Sequence, residues 1–228
     1  MKTSTGTNTG TLREARACTP ESILSTCYHE AGHAVAGYYF GVTILDVDGH
    51  SMTITNNGVG SEVHLDNYDL KHPLLARIST RYAGVIAQDM HALRCGSGED
   101  VYGGGWVVSD DVERIAEALR LSMDALSEMD TDDFSFALGW SSQFIASEVV
   151  KFGDVELGRV KDDLQPSGYV EFFNPLWAIP LIDSAKSMHQ LLKTNWHQVE
   201  AVAQRAFRQR KLIAAELMST IESAAPAQ

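Results

Sequence analysis

Few features of this chain could cross-link or anchor it. Its three cysteines, Cys18, Cys27 and Cys95, form no C-x-x-C pair. An odd, widely spaced set argues for free thiols in a reducing compartment, so the expected location is cytoplasmic. No stretch approaches the run of about 18 apolar residues that a membrane span needs. Residues 1–17 are rich in Thr and Gly and lack the apolar segment of a secretory signal, so residues 1–18 read as a disordered tail. Basic charge is scarce as well: 18 Lys and Arg against 30 Asp and Glu give a formal charge of −12. That balance makes nucleic acid and anionic membrane poor partners. The one basic cluster, Arg205, Arg208, Arg210 and Lys211, reads as a solvated helix face. The glycine-rich stretch 95–108 contains no G-x-x-x-x-G-K-[ST], so it is a loop and not a nucleotide cradle.

What the chain does have is Tyr28-His29-Glu30-Ala31-Gly32-His33-Ala34. The surrounding residues predict a helix. Thr19 can cap it, Pro20 suits its first position, and Gly41 can end it about six turns later. At about 100° per residue, His29 and His33 share one face, with Glu30 beside them. Two imidazoles so placed can grip one metal ion while the carboxylate reaches a water on it. The bland alternative is a helix whose histidines bond to core carbonyls. Ile23, Leu24, Cys27, Ala31, Ala34, Val35, Tyr38 and Tyr39 cover nearly every face, so the helix is expected to be buried. A buried, unpartnered Glu between two His would cost roughly several kcal/mol, a difficulty that a metal removes. Gly32, which costs about 1 kcal/mol relative to Ala in a helix interior, points to a close approach by backbone or ligand. The motif therefore predicts zinc.

The apolar fraction of 44% in 228 residues is enough for one substantial core. Without repeats or a clear linker, 19–223 reads as a single, mainly helical α+β domain. After the motif helix, Val42–Asp48, Met52–Thr55 and Val59–Leu65 have strand character, separated by turns at Gly49 and Asn56-Asn57-Gly58. They predict a small antiparallel sheet beside the motif helix, whose exposed edge suits an extended peptide. Pro73 opens a second helix running to about Leu93, with Gly84 marking close packing. Asp110 to Glu113 has capping-box spacing and begins a third helix. Phe134–Val150 reads as helix and Phe152–Pro180 as a long irregular segment. Leu181–Ser223 reads as two closing helices.

Catalytic zinc usually has three protein ligands and one open position. No later His follows His33 at the H-E-x-x-H-x-x-G-x-x-H spacing. Spacing alone leaves Asp89, His91, Glu99, Asp100, Asp110, Asp111 and Glu113 open as the third ligand. The octet Tyr28 to Val35, however, resembles the zinc motif of the FtsH peptidase domain, the proteolytic half of the AAA metalloproteases. Ala83-Gly84-Val85-Ile86-Ala87-Gln88-Asp89 is similar to that family's glycine-rich helical segment. Asp111-Val112-Glu113-Arg114 resembles the segment whose Asp is the third ligand. The resemblance covers residues 20–125 and, more weakly, 185–223. The chain departs from the family in having Gln88-Asp89 where two acids are common, and in having no ATPase module or membrane anchor.

The resemblance implies a helical, zincin-like fold and a zinc-dependent endopeptidase. Zn2+ would be held by His29, His33 and Asp111, with Glu30 as the catalytic base. Its substrates would be short peptides or unfolded proteins, either free or delivered by a separate ATPase, and homo-oligomers are compatible with it. With no phosphate-binding loop, peptide cleavage is expected to be independent of ATP. The competing expectation is a noncatalytic, zinc-stabilised interaction domain, against which the presence of Glu30 counts.

Overall fold

A computed structural model describes residues 20–56, 61–66, 74–96, 110–122, 131–166 and 168–224. The motif helix α1 spans Pro20–Phe40. It ends as the sequence predicts. Gly41 takes φ +68°, its N–H donates to Tyr38 O, and the Val42 N–H reaches back to Gly37 O at 2.9 Å. These two bonds satisfy the last carbonyls, which an L-residue at 41 would do only under strain. Residues 27–37 are buried on every face, so the chain commits its least solvated helix to its most polar motif.

Helix α2 (Leu74–Arg94) packs along α1, and α7 (Trp196–Gln209) flanks α1 from another side. Helices α3 (Asp110–Ser122) and α4 (Thr131–Phe152) pack on α2, as does α6 (Pro175–Thr194). Helices α1 and α2 approach closely at Gly32. A Cβ there would lie 2.3 Å from Ala83 O, so only glycine lets α1 and α2 meet at that point. The core holds Tyr82, Ile86, Leu119, Phe134, Ile145, Trp177 and Leu181, all essentially inaccessible to water.

The antiparallel sheet is present, but its strands are not all the expected ones. Strands β1 (Met52–Thr53) and β2 (Glu62–Val63) pair as predicted, while the third, β3 (Lys211–Leu212), arrives from the C-terminal region. The order is β2-β1-β3, with Met52 opposite both Val63 and Leu212. Val42–Asp48 is not a strand. Asp48 and Gly49 both have positive φ and turn the chain back at once, with Val47 and His50 exchanging bonds. What remains of the expected strand is two isolated bridges, Ile44 to Leu65 and Val47 to His50. The Asn57-Gly58 part of the next turn lies outside the described residues.

Two further expectations are corrected. Phe152–Pro180 is largely ordered into α5 (Leu157–Leu164), a 3-10 turn at Val170–Phe172 and the start of α6. Val160 and Leu164 supply α5 with a buried face too short to stand out as a period. In α6 the Asn174 side chain accepts from the Leu176 N–H, and Pro175 takes the first turn. Pro180 then lies inside the helix, because Trp177, Ala178, Leu181 and Ile182 bury both sides of it. Core packing overrides the proline here. The closing region is α6, α7, β3 and α8 (Ala214–Ser223) rather than two helices, since Arg210 at φ +66° stops α7 and Leu212 joins the sheet. Arg205 is no free cation: it pairs with Glu216 at 2.8 Å and holds the Thr220 hydroxyl.

Among the described residues, no helix is long and apolar enough to cross a membrane. Cys27 is a buried free thiol that burial pushes up to about 12, and Cys95 is exposed and free. Cys18, Thr19 and Pro73 fall outside the described residues.

Candidate metal centre

One helical turn on α1 brings His29 and His33 to the same side, facing α2. The backbone of α2 comes close enough to touch them because residue 84 has no side chain. A Cβ on Gly84 would lie 2.4 Å from His33 Nε2 and 2.6 Å from His29 Nε2. This explains the mid-helix glycine: its missing side chain leaves the space in front of both imidazoles open. The first turn of α3 then delivers Asp111 to that space.

The three side chains converge. His33 Nε2 stands 3.1 Å from His29 Nε2 and 3.1 Å from Asp111 Oδ2, and His29 Nε2 is 3.2 Å from the same oxygen. All three residues are buried, and the group can hold a metal ion. Four donors placed tetrahedrally at about 2.0–2.1 Å from zinc stand about 3.3–3.4 Å apart, close to this near-equilateral triangle.

Proton accounting sharpens the argument. His33 Nδ1 lies 2.7 Å from the carbonyl oxygen of Thr80 on α2. A carbonyl only accepts, so Nδ1 carries the N–H, and a neutral ring then turns a lone pair on Nε2 toward Asp111 Oδ2. The carboxylate oxygen offers only lone pairs in return. Two acceptors at 3.1 Å need a cation between them, either a second proton on His33 or a metal. One metal ion at the triangle satisfies all three contacts at once. The Thr80 carbonyl also acts as an outer partner that sets the tautomer and ring orientation of a ligand.

Burial alone would raise Asp111, but the charges of and hydrogen bonds to His33 and His29 hold its carboxyl well below the usual carboxylate range. Arg81, one turn before Gly84 on α2, donates from Nη1 to Asp111 Oδ1 at 3.2 Å. Glu30 is buried beside the triangle without belonging to it. Burial pushes its carboxyl up to about 8, against the pull of the His29 charge; the charges of Asp111 and Glu62 raise it further, and the Val63 N–H donates to it.

Among the described residues, the other sequence candidates do not join the group. Asp89 is partly buried on α2, and burial pushes it up to about 7, but it stays outside the triangle. His91 stacks on Tyr28 at 3.8 Å between ring centres, in a pile continued by Trp196 and capped by Arg94. Glu113 is exposed. Glu99, Asp100 and the Asp110 side chain lie outside the described residues, and the predicted Asp110–Glu113 capping box lies there with them.

Three parts of the site were missed at the sequence level. The Thr80 carbonyl and the Val63 N–H are backbone groups, which any residue could supply. Arg81 left only a weak trace, a cation beside the apolar positions Ile78, Tyr82 and Val85 and one turn after Arg77. No protein-family model matches the chain, and no curated protein matches it.

Proposed function

We propose that this chain is a zinc-dependent endopeptidase of the kind its motif resembles, acting on short or unfolded peptide substrates. The observation that supports it best is the buried His29–His33–Asp111 triangle, whose three ligand atoms lie within reach of one metal ion, with the Glu30 carboxylate beside it and outside it. Two nitrogens and one oxygen are a donor set suited to zinc, and they leave a fourth position open. Bound zinc supplies a Lewis acid that polarises a scissile carbonyl and lowers the pKa of a water toward about 7.

The chain's own residues do the rest. Glu30, raised by burial into the range where a base works near neutrality, takes the proton of the attacking water on its carboxylate. It then returns that proton to the leaving amine. The Val63 N–H fixes the carboxylate's direction. Val63 lies on β2, an end strand of the sheet, so the base sits beside that strand. A separate ATPase would be needed only to deliver folded substrates.

The Glu30→Gln variant tests this reading. It is expected to keep stoichiometric zinc and to lose about 100- to 10,000-fold in peptide cleavage. Full activity in the purified variant would sink the mechanism, and loss of zinc would make Glu30 a ligand.

The deep burial of all three donors favours a second reading, a noncatalytic zinc-stabilised interaction domain. It differs in its expectation for Glu30, which a structural site does not use. Under it, zinc-loaded protein cleaves nothing, and Glu30→Gln changes only stability.

A further inference from the structure

Asp111 splits its carboxylate between two tasks. Oδ2 faces both imidazole nitrogens, at 3.2 and 3.1 Å. Oδ1 is turned away from them and accepts from Arg81 Nη1 at 3.2 Å. Asp111 is the only partner of the Arg81 guanidinium among the described residues, and the Arg81 side chain is 17% exposed. A carboxylate near a metal has two ways to bind, through one oxygen or through both. Chelation by both would raise the metal's coordination number and crowd the position that a zinc site keeps open for chemistry. A charge-assisted hydrogen bond to the second oxygen is one of the stronger contacts available to it, and it competes directly with chelation.

We propose that Arg81 is a positioning residue that holds Asp111 to one-oxygen ligation by occupying Oδ1, and so keeps the fourth metal position open. Arg81 itself ligates nothing and touches no reacting atom. Its place on α2 suits the role. Thr80, its neighbour, supplies the carbonyl that orients His33, and Gly84, three residues on, supplies the cleared space. One turn of α2 therefore sets the direction of two ligands and leaves room for what they hold. The contact is a single Nη1 to Oδ1 bond rather than a two-pronged fork, so a lysine ammonium can replace it.

This inference rests on the metal reading above, and the experiment separates the two. The purified full chain is stripped, loaded with cobalt(II) alone as a spectroscopic probe, and compared with Arg81→Met and Arg81→Lys, with far-UV circular dichroism to check that each is folded. The unsubstituted protein and Arg81→Lys are expected to give the intense visible band of four-coordinate cobalt. Arg81→Met is expected to give the weaker band of a higher coordination number, because the freed Oδ1 joins the metal. Arg81→Ala, with the same expected spectrum, serves as a second apolar variant should the Met variant not fold. If the apolar variants keep the intense band, Arg81 does not control ligation and the proposal falls alone. If the unsubstituted protein takes up no cobalt, the metal reading falls and takes the proposal with it.

Discussion

At the scale of single residues, the site turns on which atom carries a proton. The Thr80 carbonyl commits His33 Nδ1 as a donor, so in a neutral ring the other nitrogen is a lone pair facing a carboxylate. Neighbouring acids differ sharply in consequence. Asp111 is buried and meets both histidines, while Asp110, one residue and about 100° away on the same helix, is the residue the sequence reads as the cap. Asp111→Asn is therefore expected to lose zinc, whereas Asp110→Asn keeps one zinc per chain and costs at most about 0.5–2 kcal/mol of stability. Zinc analysis of the two purified variants decides between them, and metal loss confined to Asp110→Asn would place the third ligand one residue earlier. His29, Glu30 and His33 were legible in the sequence because a metal motif on a helix has a fixed spacing. Asp111 was legible only through a family resemblance. Its 78-residue separation from His33 depends on how α2 and α3 pack, and no local pattern encodes that.

At the scale of elements, two glycines do the placing, and they do different work. Gly32 lets the backbones of α1 and α2 touch, and Gly84 clears the space before the imidazoles. A methyl at 32 meets the backbone carbonyl of Ala83, which cannot move without shifting a whole helix. A methyl at 84 meets side-chain rings, which can rotate away. Gly84→Ala is thus expected to fold, at an overpacking cost of about 1–3 kcal/mol, but to hold no zinc. Gly32→Ala is expected to lower thermal stability more than Gly84→Ala does. Melting curves and metal content measured on both variants check the contrast; a zinc-replete Gly84→Ala would mean the imidazoles do not point as described.

The helices with long apolar periods were readable in advance, α1 to within a residue at its glycine end. The sheet was readable in kind but not in membership. Two-residue strands carry no measurable alternation, and β3 joins β1 across more than 150 residues of chain. The proline rule failed at Pro180 because burial on either side of it outweighed one lost backbone bond.

At the scale of the whole molecule, the bundle serves the least solvated helix. Helices α2 and α7 enclose α1, while β2 supplies the Val63 N–H to Glu30. An arrangement that buries two histidines and two acids within one small volume would be costly if all stayed unpaired, since each buried charge needs a partner. Under the proposed function, a metal would partner three of the four, and the fourth, Glu30, would serve as the base. The most direct test of that account is the cleavage of unfolded casein by the purified chain, stripped by a chelator and then titrated with zinc. Activity is expected to vanish on stripping and to return fully at one zinc per chain. Cleavage that survives complete removal of metal, or a fully zinc-loaded chain that leaves casein intact, would contradict it.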